Sequence, residues 1–336
     1  MPSLTTIRRK TLKVARDPAM IMRFLRQRIA TRIADYHRMR VLRPYQRALL
    51  LALEPTAPVR VATDGPIEVH ILCGRATALD ALAMLKSFYD QTGATYPLVV
   101  HEDGSFGDAE RARFAKHFPG ARIISRRQAD LEVDAVLNAA GLRRCVAYRH
   151  EQIYGLKLFD LEHYGRGKRV LYLDTDILFF TRPDALLDAL HASDDQWADR
   201  YNEDVKSCYT WSVERVKEVT GIDLLSCVNA GFLVLRVGSP DWTSYESWLA
   251  MPERSFYSEQ TLRAMALSAA RARPLPREYD VCFRHAWEGQ DWLTCFNERR
   301  LGQQVVSEHF CGGLGSRVLF YERFMQRVVG RLSTAE

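Results

Sequence analysis

The chain has 336 residues, 47% apolar and 26% charged, with a formal charge of +6, the balance of an ordinary globular protein able to bury a large core. Its seven cysteines (Cys73, Cys145, Cys208, Cys227, Cys282, Cys295, Cys311) are dispersed and form no C-x-x-C pair, which excludes a disulfide framework or zinc site and predicts reduced thiols in a reducing compartment. No apolar run approaches the roughly 18 residues that a membrane span needs.

Charge is unevenly placed. Residues 1–50 hold thirteen Lys or Arg against two Asp, a net of +11, which leaves −5 on the remainder. Within them Ile21, Leu25, Ile29 and Ile33 recur every four residues, with Arg23, Arg26, Arg28 and Arg32 between them. This predicts an amphipathic basic helix over 21–36, suited to an anionic membrane surface or to docking on the acidic remainder of the chain. The same arginines break the place where a signal peptide's apolar segment would sit, so a cytoplasmic protein is expected, peripheral on the inner face of the membrane. No nucleic-acid motif accompanies the charge, and no nucleic-acid partner is expected. A second helix is predicted over 43–53, followed by a proline-containing linker, "EPTAPVR". The expected division is a basic helical extension, 1–58, and one α/β domain, 66–332.

From residue 67 strands alternate with helices. "IEVHILC" (67–73) reads as a strand and 77–92 as a helix closed by Gly93. A strand over 97–103, a helix over 107–117 and the short strand "ARIIS" follow, then helices over 127–141 and 150–164. Next comes "VLYLDTDILFF" (170–180), in which Asp174 and Asp176 interrupt an apolar run. Alternation of this kind predicts a mostly parallel sheet layered with helices, with ligands bound beyond the C-terminal strand ends. On a strand, residues i and i+2 share a side, so both carboxylates would aim at one point and call for a cation between them, Mg²⁺ or Mn²⁺. An isolated D-x-D is also compatible with a solvated turn.

Three later stretches bear on that choice. "VNAGFLVLRV" (228–237) is a strand entered through Asn229, Ala230 and Gly231, small enough for a ligand to approach the backbone. "YSEQTLRAMAL" starts a helix with Ser258 as expected N-cap and Glu259 and Gln260 in its first turn. "SEHFCGGLGSR" places His309 before a glycine-rich turn able to wrap phosphate oxygens.

In order and spacing these pieces resemble the GT-A nucleotide-sugar glycosyltransferases, most of all family eight, the glycogenin and lipopolysaccharide galactosyltransferase group. The resemblance spans roughly 67–320. It implies a GT-A, Rossmann-like sheet and a metal site of Asp174, Asp176 and His309. Asn229, Gly231, Glu259 and Gln260 would hold the donor sugar, Asn229, Glu259 and Gln260 being the expected catalytic set. Lys157, Asp174, Gly312 and Arg317 would lie on the donor, with Cys73, Gly74, Arg75 and Asp103 near its base. The implied reaction is transfer from a UDP-sugar or similar donor to a sugar, lipid-linked or protein acceptor hydroxyl, with retention, in bacterial-type polysaccharide or glycolipid synthesis. Manganese or magnesium would neutralise the departing diphosphate.

The pattern departs from the family in Glu259, where Asp is usual, and in the missing "G-x-x-K-P-W" tail, for which Arg317 is the expected substitute. The segment with Trp197, Tyr201, Tyr209 and Trp211 reads as an acceptor-side insertion. "FRHAWEGQDWLTCF" (283–296), with Trp287 and Trp292, reads as an acceptor wall in which Glu288 or Asp291 would be the base of an inverting enzyme. The alternatives are a haloacid-dehalogenase-type phosphatase using the D-x-D pair, and a non-catalytic carbohydrate- or membrane-binding scaffold of the same fold.

Overall fold

The computed structural model describes residues 40–238, 242–281, 305–311 and 314–332. The predicted helix over 21–36, the stretch 283–296 and Gly312 lie outside the described residues. The chain separates into two compact units, Met1–Ala48 and Leu49–Glu336. Residues 40–53 are helical.

In the second unit the order begins β1 (Ile67–Cys73), α1 (Ala78–Thr92), β2 (Leu98–Glu102), α2 (Asp108–His117) and β3 (Arg122–Ile124). It continues with α3 (Arg126–Ala139), α4 (Arg143–Glu151), α5 (Gly155–Tyr164), β4 (Arg169–Leu173) and β5 (Ile177–Phe179). Then come α6 (Asp184–His191), β6 (Arg200–Glu203), α7 (Val213–Thr220), β7 (Val228–Arg236) and α8 (Thr243–Trp248). The described elements end with α9 (Ser258–Ala269), β8 (Arg273–Pro274), β9 (Tyr279–Val281), β10 (Ser307–His309) and α10 (Leu314–Leu332).

A seven-stranded sheet runs in the order β3-β2-β1-β4-β7-β6-β8, and β5-β10-β9 form a second, smaller sheet. The neighbours β3, β2, β1 and β4 pair in parallel, as do β6 and β8, while β7 is antiparallel to both β4 and β6. The strands β1, β2 and β4 are buried along nearly their whole length, as a parallel sheet covered on both faces requires. The helix α1 closes where expected, on Gly93 at φ 62°, a left-handed conformation that glycine adopts without Cβ strain.

Three expectations change. The helix foreseen over 150–164 starts only at Gly155, as α5; residues 150–151 instead close α4, a helix that the sequence reading did not predict, and a turn at 152–154 separates the two. The stretch "VLYLDTDILFF" is not one strand: β4 ends at Leu173, Asp174–Asp176 form a turn, and β5 resumes in the other sheet. Cys73, Cys145, Cys208 and Cys227 are free thiols, but Cys311 is disulfide-bonded, which corrects the expectation of a wholly reduced set. The "EPTAPVR" segment is tied to the scaffold, with Val59 N donating to His117 O at 2.9 Å and Lys86 Nζ to Ala57 O. No helix among the described residues is long and apolar enough to cross a membrane.

Candidate active site

The C-terminal ends of β1, β2 and β4 share one edge of the large sheet, and antiparallel β7 brings its own start to that edge. Leu173 pairs with Phe232, and the next step sets Asp174 N on Gly231 O at 2.6 Å. The β6–β7 register jumps from Tyr201↔Leu233 to Asn202↔Asn229, so Ala230 and Gly231 are released from β6. A bulge of this kind re-aims backbone beside a functional site. The freed amides find local partners: Gly231 N donates to Asn229 Oδ1 at 2.9 Å and Ala230 N to Gln260 Oε1 at 3.4 Å.

The turn after β4, and not strand alternation, converges the two aspartates. Its other limb, β5, pairs with β10 in the register Ile177↔His309, which delivers the imidazole. His309 Nε2 lies 3.1 Å from Asp176 Oδ1 and 4.0 Å from Asp174 Oδ2. One ligand atom from each of the three residues falls within 4.8 Å of the others, a spacing open to a metal ion. The aspartates keep 27% and 33% of their side chains exposed while His309 is buried, so the cluster is open on the side a ligand would approach. Two oxygens and one imidazole nitrogen suit Mn²⁺ or Mg²⁺, and the imidazole favours manganese. A Cβ on Gly231 would fall 2.5 Å from His309 Cε1 and closer still to Asp174 Oδ2; only glycine leaves the cluster its room. Burial pushes Asp176 up, but His309 beside it holds its carboxyl below the ordinary value. His309 is raised in turn: burial opposes its charge, and Asp176 then Asp174 outweigh it.

Lys157, buried on α5, reaches Asp174 at 2.7 Å and 3.0 Å and lies over the rings of Tyr154 and Tyr172. Its burial opposes the charge, yet Asp174 and Glu259 keep the ammonium protonated well above its usual range. Glu259 is buried, and its Oε1 has no partner among the described residues. Burial, and secondarily the Asp174 charge, push its pKa up to about 7 against the lowering pull of Lys157 and Arg263. Ser258 is the first helical residue, not the N-cap, which is Tyr257. Gln260 bonds at both ends of its amide, with Nε2 on Cys208 O at 3.1 Å, and Asn229 Nδ2 donates to Asp204 Oδ2 at 3.2 Å.

The expected base-side residues also meet. Asp103 N donates to Cys73 O at 3.1 Å, and a Cβ on Gly74 would overlap the Asp103 carboxylate, whose Cγ lies 2.7 Å away. Arg75 has an exposed side chain whose Nε lies 3.5 Å from Glu110. His101 and Glu102, which precede Asp103 on β2, are engaged elsewhere: His101 pairs with His70 at 3.0 Å, and Glu102 accepts from Arg111. Arg317 is held by buried Asp80, with Nε at 3.0 Å, and Tyr321 donates to the same carboxylate at 2.9 Å.

Sequence reasoning missed Tyr172, which donates to Asp174 Oδ1 at 2.7 Å, and Asp204, which follows β6 at the same sheet edge. The i, i+2 spacing of Tyr172 and Asp174 was the available signal for the first; the second needed the register of β6. Of the aromatic residues in the stretch read as an acceptor-side insertion, Tyr201 and Trp211 are buried in the core and Tyr209 bonds to Leu225 O and Val228 N, while Trp197 lies against Arg169 and Arg236. A second acidic group, Asp130, Asp134 and His150, is also spaced for a metal, but Arg149 and Arg126 already sit on its aspartates at 2.6–3.0 Å.

No protein family matches the chain by sequence, and no curated protein matches it. Solved structures match in fold. An active-site mutant of the galactosyltransferase LgtC superposes with a TM-score of 0.50 at 16% identity, over 79% of this chain and 95% of that one. LgtC in complex with donor and acceptor sugar analogues gives 0.47 and 15%, over 78% and 95%. Mouse xyloside xylosyltransferase 1, apo form, gives 0.48 and 12%, over 75% and 98%. At such identity the likeness concerns architecture: the chain has the mixed α/β, mostly parallel GT-A fold that its sequence predicts.

Proposed function

We propose that the protein is a metal-dependent glycosyltransferase of the family-eight kind. It would move a sugar from a nucleoside-diphosphate sugar, with a UDP-sugar as expected donor, to an acceptor hydroxyl with retention. The setting would be bacterial-type polysaccharide or glycolipid synthesis. The observation that carries the reading is the meeting of Asp174, Asp176 and His309 over Gly231, beside a buried lysine. Asp174, Asp176 and His309 would hold a divalent ion, which would supply positive charge to a departing diphosphate.

The remaining work falls to the chain itself. Lys157 holds Asp174 in place and adds a second cation, kept charged by Asp174 and Glu259. Glu259 offers a buried acid with an unpartnered Oε1, able to bond a sugar hydroxyl from either protonation state near neutral pH. Asn229 and Gln260 act as positioning residues, since their amides fix the β7 backbone that a donor sugar would lie against. The loop of Cys73, Gly74 and Arg75, with Asp103 across it, suits the nucleoside. Arg317 is paired with buried Asp80, so a role on the diphosphate would require it to leave that carboxylate. The phosphatase alternative is not favoured, because that resemblance needs the D-x-D on the first strand and it stands here after the fourth.

A thermal-shift panel of UDP- and GDP-sugars in Mn²⁺ tests the proposal, since a ligand that binds only the folded state raises Tm. One nucleotide-sugar should raise Tm in Mn²⁺ and not in EDTA. No response to any of them would contradict it.

A further inference from the structure

Four neighbouring strands of the large sheet each place an arginine at the same end, the end remote from the metal cluster. β4 begins with Arg169, β7 ends with Arg236, β6 begins with Arg200 and β8 begins with Arg273. Strand register sets Arg169 directly across from Arg236 and Arg200 across from Arg273. Like charges so paired repel and destabilise a sheet. At about 3.3 Å per residue, the length of β4 puts this row about 16 Å from Asp174.

The compensation present is partial. Arg169 and Arg236 share one carboxylate, Asp194 Oδ1, at 3.0 and 2.7 Å, and that side chain is 82% exposed. The guanidiniums of Arg169 and Arg236 also lie 4.7 and 4.9 Å from the Trp197 ring. Asp199 is mostly committed, its Oδ1 accepting from Trp197 Nε1 and Arg236 N at 3.0 Å each. Arg200, Arg271 and Arg273 have no carboxylate partner among the described residues. Burial and the Arg273 charge both press Arg200 below its ordinary pKa. Arg271 is held at φ 54°, one of two non-glycine residues with positive φ among those described. Trp197, Asp199, Arg236, Arg271 and Arg273 line one cavity of about 370 Å³.

The geometry points to a second ligand site in this cavity, for a phosphate ester, distinct from the metal cluster. On the cavity lining three guanidiniums, Arg236, Arg271 and Arg273, face one carboxylate, Asp199, an excess of two positive charges, and Arg169 and Arg200 stand in register with Arg236 and Arg273. Guanidinium forks match phosphate oxygens in pairs, and the indole edge gives an apolar wall for the organic part of the ester. A bound phosphate would relieve the repulsion within both arginine pairs. The phosphate belongs either to a lipid headgroup or to a soluble phosphorylated sugar, and the two sources share this recognition chemistry.

The test uses the full chain in EDTA at low ionic strength. Inorganic phosphate should raise the Tm of the wild type beyond a chloride control of equal ionic strength. Arg273→Gln and Arg271→Gln should each weaken that response roughly ten-fold, the loss of one charge-assisted contact. Without added anion, Arg273→Gln should melt higher than the wild type, because one repelling charge is gone. Asp176→Ala should respond to phosphate as the wild type does, which separates this site from the metal cluster. Sedimentation with phosphatidylcholine vesicles containing phosphatidic acid, reduced in Arg273→Gln, identifies the headgroup as the source. A Tm rise with glucose 1-phosphate, absent in Arg273→Gln and without a change in vesicle binding, identifies the soluble sugar. Equal responses of wild type and both arginine variants to phosphate, or no response beyond chloride, overturn the inference.

Discussion

Replacing Glu259 with Gln should remove a pH-dependent weakness from the fold. Glu259 is buried among Lys157 from α5, Asp174 after β4, Arg263 on its own helix, and the rings of Tyr148, Tyr154, Tyr172 and Tyr245. Its pKa rises from an ordinary 4.5 to about 7. Between those values the native state holds a proton that the unfolded chain has released, so stability falls as pH rises through the window. At about 1.36 kcal/mol per pH unit the full cost is about 3 kcal/mol, most of which develops between about pH 5 and pH 9. Gln is neutral throughout and carries no such cost. Urea melts of both proteins in EDTA should therefore show Glu259→Gln gaining about 2–3 kcal/mol on the wild type across that range, or roughly 5 °C in Tm. A stability difference that stays flat with pH would refute the burial argument and free Glu259 to be an ordinary exposed acid.

Three more outcomes follow from the same contacts. Lys157→Met leaves Asp174 without its cation and should cost about 3 kcal/mol; because Lys157 lowers the Glu259 pKa, that group's stability midpoint should also climb above about 7, measurable in the same melts. Gly231→Ala puts a methyl onto Asp174 and His309 and should abolish any Mn²⁺-dependent rise in Tm, whereas a preserved rise would disconnect Gly231 from the cluster. Arg317→Ala strands buried Asp80 and should lose about 3 kcal/mol in urea melts, most of it recovered by adding Asp80→Asn; failure of that rescue would mean Arg317 acts through another group.

The sheet and the site were legible to different depths. Apolar runs and turn residues located β1, α1 and β7 well, since Gly93 and the alternation of strands and helices are local signals. Asp174 and Asp176 stood out as a D-x-D after an apolar strand and His309 joined them through the family resemblance, but the reason they converge was not in the sequence. The expected strand alternation is absent, and a turn that switches sheets does the positioning, with β10 pairing back onto β5. The helix α4 went unpredicted because its residues, RRCVAYRHE, are mostly charged or polar, and no proline or glycine inside 152–154 marks where it ends. Tyr201 and Trp211 read as part of an acceptor-side insertion because aromatic residues serve both cores and sugar sites, and one sequence does not show which of them are buried. The arginine row was invisible for a simpler reason: Arg169, Arg200, Arg236 and Arg273 are neighbours only through strand order.

The central claim is that Asp174, Asp176 and His309 hold a metal for transfer from a nucleotide-sugar. Release of nucleoside diphosphate from a panel of UDP- and GDP-sugars, with and without Mn²⁺, tests it most directly. The account predicts release that needs the metal and disappears in Asp176→Ala. Phosphate released from a phosphomonoester, with an aspartyl phosphate trapped on the chain, would contradict it.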